Sequence, residues 1–408
     1  MSGSPERSTA RLPIVLGIFI LSGAAGLIYE VVWARQLVLV FGNTTQAVSA
    51  ILTGFFGGMA IGSAIGGRVA DRVRRPLRMY GLLELVLVVI VILTPVTFRL
   101  LHEVYRGAFA SLESQPGLLA LVRFALALAA LGPATILMGA TLPTLTRHLS
   151  RQAEDLSTAF GKLYAANTLG AIVGTIAAGF ILIELLGLTG TLLVGAGCSA
   201  IAGLVAVALD RAGSDRARSA AAIPTPASRP TVRPAATTGA AAGSTLRLGL
   251  LVGAVSGLTS LGYQTLWTRL LASGTGNFTY VFTMILTLFL IGIALGAIVF
   301  DLLRSRIRST IGLLAFAQLG TAILAAIGGI LLIPGASTGM LNLSSNVDAL
   351  FGSFLWTSAA VVLPATFVMG LSFPAASALV AGGDQQVGGR TGLLLSANTL
   401  GAIAGTFI

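Results

Sequence analysis

The chain has 408 residues, of which 55% are hydrophobic and only 10% charged, and its mean hydropathy is +0.93. A soluble domain carries roughly 25% charged residues, so an ordinary soluble enzyme is excluded. So is a disordered chain, which needs low hydrophobicity and high charge. The net charge of +11 rests on 24 arginines and one lysine, Lys162. They cluster in alternate loops, as membrane topology demands, and no nucleic-acid partner is expected.

Residues 1–11 form a polar, basic tail. The apolar run behind it continues through Glu30 and Arg35 without a small-residue cleavage pattern, so it reads as a retained helix rather than a signal peptide. Apolar stretches long enough to span a bilayer predict helices near 12–40, 46–67, 79–98, 118–145, 157–186 and 188–209. Five more follow near 248–272, 278–300, 311–333, 351–380 and 392–408. The fold class is therefore an all-α polytopic membrane protein with the lipid bilayer as its partner. The loop 68–78, RVADRVRRPLR, holds five arginines against one aspartate, and 20 of the 25 basic residues fall on its side of the membrane. The remaining five are Arg35, Arg99, Arg106, Arg123 and Arg269. The positive-inside rule places the first side, and with it the N-terminus, in the cytoplasm. Residues 210–247, rich in Ala, Pro, Thr and Ser, read as a flexible cytoplasmic linker. One cysteine, Cys198, excludes an internal disulfide framework, and His102 and His148 lie far apart, so no metal or cofactor is expected.

The two sides of the linker match each other. Residues 22–66 share 17 identities of 45 with 256–300, including Tyr29/Tyr263, Trp33/Trp267 and Arg35/Arg269. PATILMGATLP at 133–143 matches PATFVMGLSFP at 364–374, and GKLYAANTLGAIVGT at 161–175 matches GLLLSANTLGAIAGT at 392–406. The expected organisation is a tail 1–11, a first six-helix repeat 12–209, the linker 210–247 and a second repeat 248–408. An even helix number per repeat makes the two parallel, related by an axis along the membrane normal, as in the halves of major facilitator transporters. By the repeat register Ile408 pairs with Ala177, inside the fifth helix of the first unit. The second repeat is accordingly expected to be cut short, leaving about 11 helices.

The blocks SGAAGLIYEVVWARQL, GFFGGMAIGSAIGGRVADR, LMGATLPTL and LYAANTLGAIVGT resemble the membrane part of bacterial fused major facilitator/spermidine synthase proteins. The resemblance covers nearly all of 12–209 and 248–408. It implies a bacterial inner-membrane location and a cytosolic, spermidine-synthase-like partner domain C-terminal to this chain, transferring aminopropyl from decarboxylated S-adenosylmethionine to putrescine. It carries over no catalytic residue and no cofactor to the present chain. The string AGGDQQVGG at 381–389 reads as a loop, since no strand precedes it.

Candidate functional residues concentrate in the first helix of each repeat. Ser22, Gly26, Tyr29 and Trp33 recur at helical spacing, and Ser256, Ser260, Tyr263 and Trp267 repeat the stripe. With Glu30 and its counterpart Gln264, the aromatic residues Tyr29, Trp33, Tyr263 and Trp267 are expected to form a binding site for a small cation such as a polyamine. A carboxylate would supply charge there and aromatic faces cation–π attraction. Glu30 is an acid inside a membrane helix, where acids are costly and mark function. Glu84 and Glu184 are further intramembrane acids, read as lying near a water boundary. Tyr, Trp and Arg also anchor membrane interfaces, and that reading suits Arg35 and Arg269 at their helix ends, which stand as well as candidates for interhelical or gating contacts. Gly54, Gly58, Gly62 and Gly66 form a small-residue ridge for helix contact. GGRVADRVRRP resembles the charged loop after the second helix of major facilitator proteins, which implies that Asp71 and Arg72 join a gating network. Asn167 and Asn398, in matching NTLGAI contexts, are expected to hydrogen-bond between helices, and Pro133, Pro143, Pro364 and Pro374 to kink theirs. The sequence leaves three roles open: moving or binding a cation, belonging to a membrane-bound spermidine synthase, or anchoring alone.

Overall fold

The computed structural model describes residues 12–42, 45–150, 156–221, 239–272, 278–307, 309–332, 347–380 and 387–407. The expected tail 1–11, the middle of the expected linker at 222–238, most of the loop 381–389 and Ile408 lie outside the described residues. Eleven α-helices order the rest: α1 Leu12–Phe41, α2 Thr45–Arg72, α3 Pro76–Leu112, α4 Pro116–Ser150, α5 Leu156–Ala177, α6 Ile183–Ala221, α7 Gly239–Ala272, α8 Phe278–Leu303, α9 Thr310–Leu331, α10 Val347–Val380 and α11 Val387–Gly405. A chain this apolar must satisfy its backbone polar groups within each crossing segment, and the helix does so. Nine helical stretches among the described residues are long and apolar enough to cross a membrane. The longest, residues 161–212, has 52 residues. It contains a π-helical turn, Ala178–Leu182, and is broken at Gly187, whose φ of +67° ends one crossing and starts the next. Only glycine adopts that backbone without strain.

The helices run past the apolar windows that predict them. α2 continues to Arg72, α3 to Leu112 and α6 to Ala221, while α7 begins at Gly239. The expected linker 210–247 is therefore helical at both ends. Hydropathy marks where a helix meets hydrocarbon, and nothing in water obliges it to stop there.

The halves pack by the same scheme. α2 lies against α4 and α8 against α10; α1 pairs with α5 and α7 with α11; α3 and α9 flank α4 and α10. The halves meet where α11 packs on α2 and α8 on α5. Small residues allow the close approach. A β-carbon at Gly58 would strike the Thr135 hydroxyl, and one at the equivalent Gly292 would strike the Thr366 hydroxyl. Tyr29 stacks on Trp33 at 5.3 Å between ring centroids, and Tyr263 stacks on Trp267 at 5.6 Å.

α4 and α10 remain continuous through their paired prolines. Pro143 has no N–H for the carbonyl of Gly139 one turn earlier. Ser63 of α2 donates to that carbonyl instead, at 2.9 Å, so a neighbouring hydroxyl restores the lost bond, as lipid requires.

Candidate functional site

A cavity of about 300 Å³ lies between the halves, walled by α1, α2, α4, α5, α7, α8 and α11. Its size is at the lower end of small-molecule pockets, which run from roughly 300 to 1,000 Å³. α1 turns Ser22, Gly26 and Glu30 toward it, four residues apart, and α7 turns Ser260 and Gln264 toward it from the other half. Glu30 and Gln264, equivalent positions in the repeat alignment, thus face one space. Glu30 is 8% exposed and has no hydrogen-bond or ion-pair partner among the described residues. It is the only acid among the cavity's described lining residues.

The aromatic residues expected around that acid do not line the cavity. Tyr29 and Trp33 are fully buried in the core of the first half, where the Tyr29 hydroxyl donates to Ser199 Oγ of α6 at 3.2 Å. One residue along a helix is a rotation of about 100°, so Tyr29 and Glu30 cannot share a face. Tyr263 and Trp267 pack into the core of the second half in the same way. The rings that do line the cavity are Phe19, Phe55, Phe56, Tyr164 and Phe289.

Both asparagines reach the cavity. Asn398 donates from Nδ2 to the Gly253 carbonyl of α7 at 3.0 Å, the expected bond between helices. Asn167 of α5 packs its backbone carbonyl against Gly23 of α1.

A second intramembrane acid lies directly behind the cavity wall. Glu84 of α3 is 1% exposed, buried among the helices of the first half. Ser22, which lines the cavity, donates to Glu84 Oε1 at 2.5 Å. In the second half Gln318 of α9 donates to Ser256 Oγ at 2.8 Å. Residues 22 and 256, and 84 and 318, are each 234 residues apart, so the same two positions are bonded in both halves: the serine donates to an acid in the first and accepts from an amide in the second. The sequence signal for the pair is the equal spacing of 62 residues from serine to partner in each half.

Contacts between the halves occur toward both ends of the cavity region. At the arginine-rich end, Asp71 of α2 lies 3.5 Å from Arg147 of α4 and accepts a 2.7 Å bond from the Gly389 N–H in the first turn of α11. Asp71 thereby ties both halves together; Arg72 beside it is exposed. Tyr164 of α5 packs on Phe373 of α10 nearby, at 5.2 Å. At the opposite end Ser49 donates to the Thr406 carbonyl at 2.9 Å and Arg269 lies 3.5 Å from Ser49. Phe180, in the π turn, stacks on Tyr280 at 6.1 Å, and the Tyr280 hydroxyl donates to Glu184. Arg35 is exposed at that end. Arg269 therefore takes part in an interhelical contact, and the Arg35 charge acts on Tyr280 of α8.

The sequence profile of the Major Facilitator Superfamily matches residues 14–406. Among curated proteins, polyamine aminopropyltransferase 2 of Streptomyces coelicolor is 29% identical over 192 residues, which is 46% of this chain and 32% of that protein. The chain thus spans about a third of that relative's length. Among solved structures, the nucleoside transporter NupG matches with a TM-score of 0.51 and 13% identity over 96% of this chain and 88% of its own. A bacterial homologue of the iron transporter ferroportin in its inward-facing state matches with a TM-score of 0.54 and 18% identity over 99% and 92%. Its outward-facing state with soaked iron gives 0.55 and 15% over 96% and 90%. At these identities the likeness is one of fold.

Proposed function

From a chain that belongs to the Major Facilitator Superfamily, we propose a membrane transport unit whose central cavity binds and moves a small organic cation of the polyamine class. In this reading the arginine-rich end faces the cytoplasm of a bacterial plasma membrane, as the placement of 20 of 25 basic residues supports. The observation that carries the reading is Glu30. An ionised carboxylate with no partner in a membrane-embedded cavity is costly, and a bound ammonium group would offset that cost by charge pairing. Phe55, Phe56 and Phe289 offer apolar walls for the methylene segments and aromatic faces for a second charge. Gln264, Asn167 and Asn398 supply neutral hydrogen-bonding groups around the same space. The partial likeness to a polyamine aminopropyltransferase favours polyamines within the wider class of cations.

The same likeness favours a second reading, in which the chain is the membrane part of a polyamine aminopropyltransferase and holds a catalytic domain at the bilayer without moving substrate. Uptake of labelled putrescine and spermidine into proteoliposomes separates the two. The transport reading expects accumulation above that of protein-free liposomes, reduced to background by Glu30→Gln with the variant still monodisperse. Wild-type uptake equal to that of protein-free liposomes would remove the transport reading and leave the anchoring one.

A further inference from the structure

We propose that Glu84 is a proton-exchange site of the first half, connected to the central cavity through the hydroxyl of Ser22. The inference takes the cavity from the transport reading, and it names a coupling ion where that reading names a cargo.

Three observations meet at this side chain. Glu84 is almost completely buried within the bundle, and no Lys, Arg or His pairs with it among the described residues. Its Oε1 accepts from Ser22 at 2.5 Å while its Oε2 has no partner. Ser22 itself lines the cavity. A carboxylate in such a place requires a cation, several donors or a proton; among the described residues no cation pairs with it and Oε2 is left without a donor, a lack that a proton makes good. The ionisable groups around it add no positive charge. Tyr29 approaches from α1 and Tyr80 from α3 itself, and Ser199 of α6 reaches it as a neutral hydroxyl. The arginines of α4 are engaged elsewhere, Arg123 with Tyr105 at 2.8 Å and Arg147 with Asp71.

The second half isolates what the acid adds. Gln318 occupies the equivalent place and bonds Ser256 in the opposite direction, its amide N–H donating. A group of this shape is accommodated there as a permanently neutral amide, so hydrogen bonding and packing alone do not require an acid at position 84. The proton is the one thing Glu84 can exchange and Gln318 cannot. Uptake of a proton follows the observed bond direction. A hydronium ion in the cavity gives a proton to Ser22 Oγ as Ser22 passes its own hydroxyl proton to Oε1, so carboxylate and hydronium become carboxylic acid and water. Release is the reverse.

Infrared difference spectroscopy of the reconstituted full chain, without any transported ligand, tests this directly. Wild type should show a protonated-carboxyl C=O band that is missing in Glu84→Gln, remains in Glu30→Gln, and shifts when H₂O is replaced by D₂O. Ser22→Ala should keep the band and slow the shift at least tenfold. The bond made by Gln318 is the reason to expect Glu84→Gln to fold, and circular dichroism with size-exclusion chromatography checks that it does. No band difference between wild type and Glu84→Gln would show an ionised carboxylate and overturn the proposal. So would a wild-type band that does not exchange, or a Ser22→Ala protein that exchanges at the wild-type rate. Because no polyamine enters the experiment, it can succeed where the uptake assay fails, and the reverse.

Discussion

In the first half the cavity-facing residue of α1 is Glu30 and the residue bonded to the helix-1 serine is Glu84; in the second half these places hold Gln264 and Gln318. Around them the halves agree closely. Each has a stacked Tyr–Trp pair in its core, a glycine seated against a threonine hydroxyl, and an asparagine at the cavity between its first and fifth helices. The duplication kept the packing and changed the ionisable groups, both times between a carboxylate and its amide isostere. An amide can be buried for the cost of satisfying its hydrogen bonds, whereas a carboxylate also needs a proton, a cation or water. Among the described lining residues, titratable chemistry at the cavity is thus confined to one half, and the other half supplies fixed dipoles at the matching positions.

Steric substitution at the matched glycines should have the largest effect and tests whether the packing is equivalent. Gly58→Leu and Gly292→Leu each place a side chain where a threonine hydroxyl already sits. Each should cost about 3 kcal/mol, seen as a marked loss of thermal stability in detergent. A large loss in only one variant would break the equivalence. The smallest effect is expected at the stacked tryptophans. Trp33→Phe and Trp267→Phe should each cost about 1 kcal/mol of stability and leave spermidine affinity within about twofold, because neither ring faces the cavity. A tenfold loss of affinity in Trp33→Phe, measured by titration calorimetry, would bring back the aromatic cage that the sequence suggests.

The crossing segments, the duplication and the asymmetric arginines were all legible in the sequence, because each is a property of many residues at once. The direction in which a given side chain points was not. In a water-soluble helix the polar face identifies the buried one. α1 is apolar toward lipid and toward its neighbours alike, so nothing in the pattern around Tyr29 and Glu30 says which of the two faces the cavity. Glu84 was hard to place for a related reason: its distance from the end of an apolar run measures depth in the membrane, not burial among helices. Its match to Gln318 lies in a stretch where, of the neighbouring residues, only Leu85 and Leu319 agree, GLLELV against AFAQLG, and where the repeat offset changes from 234 to 231 residues between the second and fourth helices. Helix ends such as Arg72 and Ala221 fell beyond hydropathy because they continue into water.

The most direct test exchanges the acid between the halves. Titration calorimetry of spermidine into purified wild type, Glu30→Gln, and the double variant Glu30→Gln with Gln264→Glu asks whether one carboxylate in the shared cavity is what holds the cation. The account predicts binding to wild type, a loss of at least tenfold in Glu30→Gln, corresponding to about 1.4 kcal/mol, and recovery of most of that loss in the double variant, since both positions face the same space. Binding unaffected by Glu30→Gln, or absent from the wild-type protein, would contradict it.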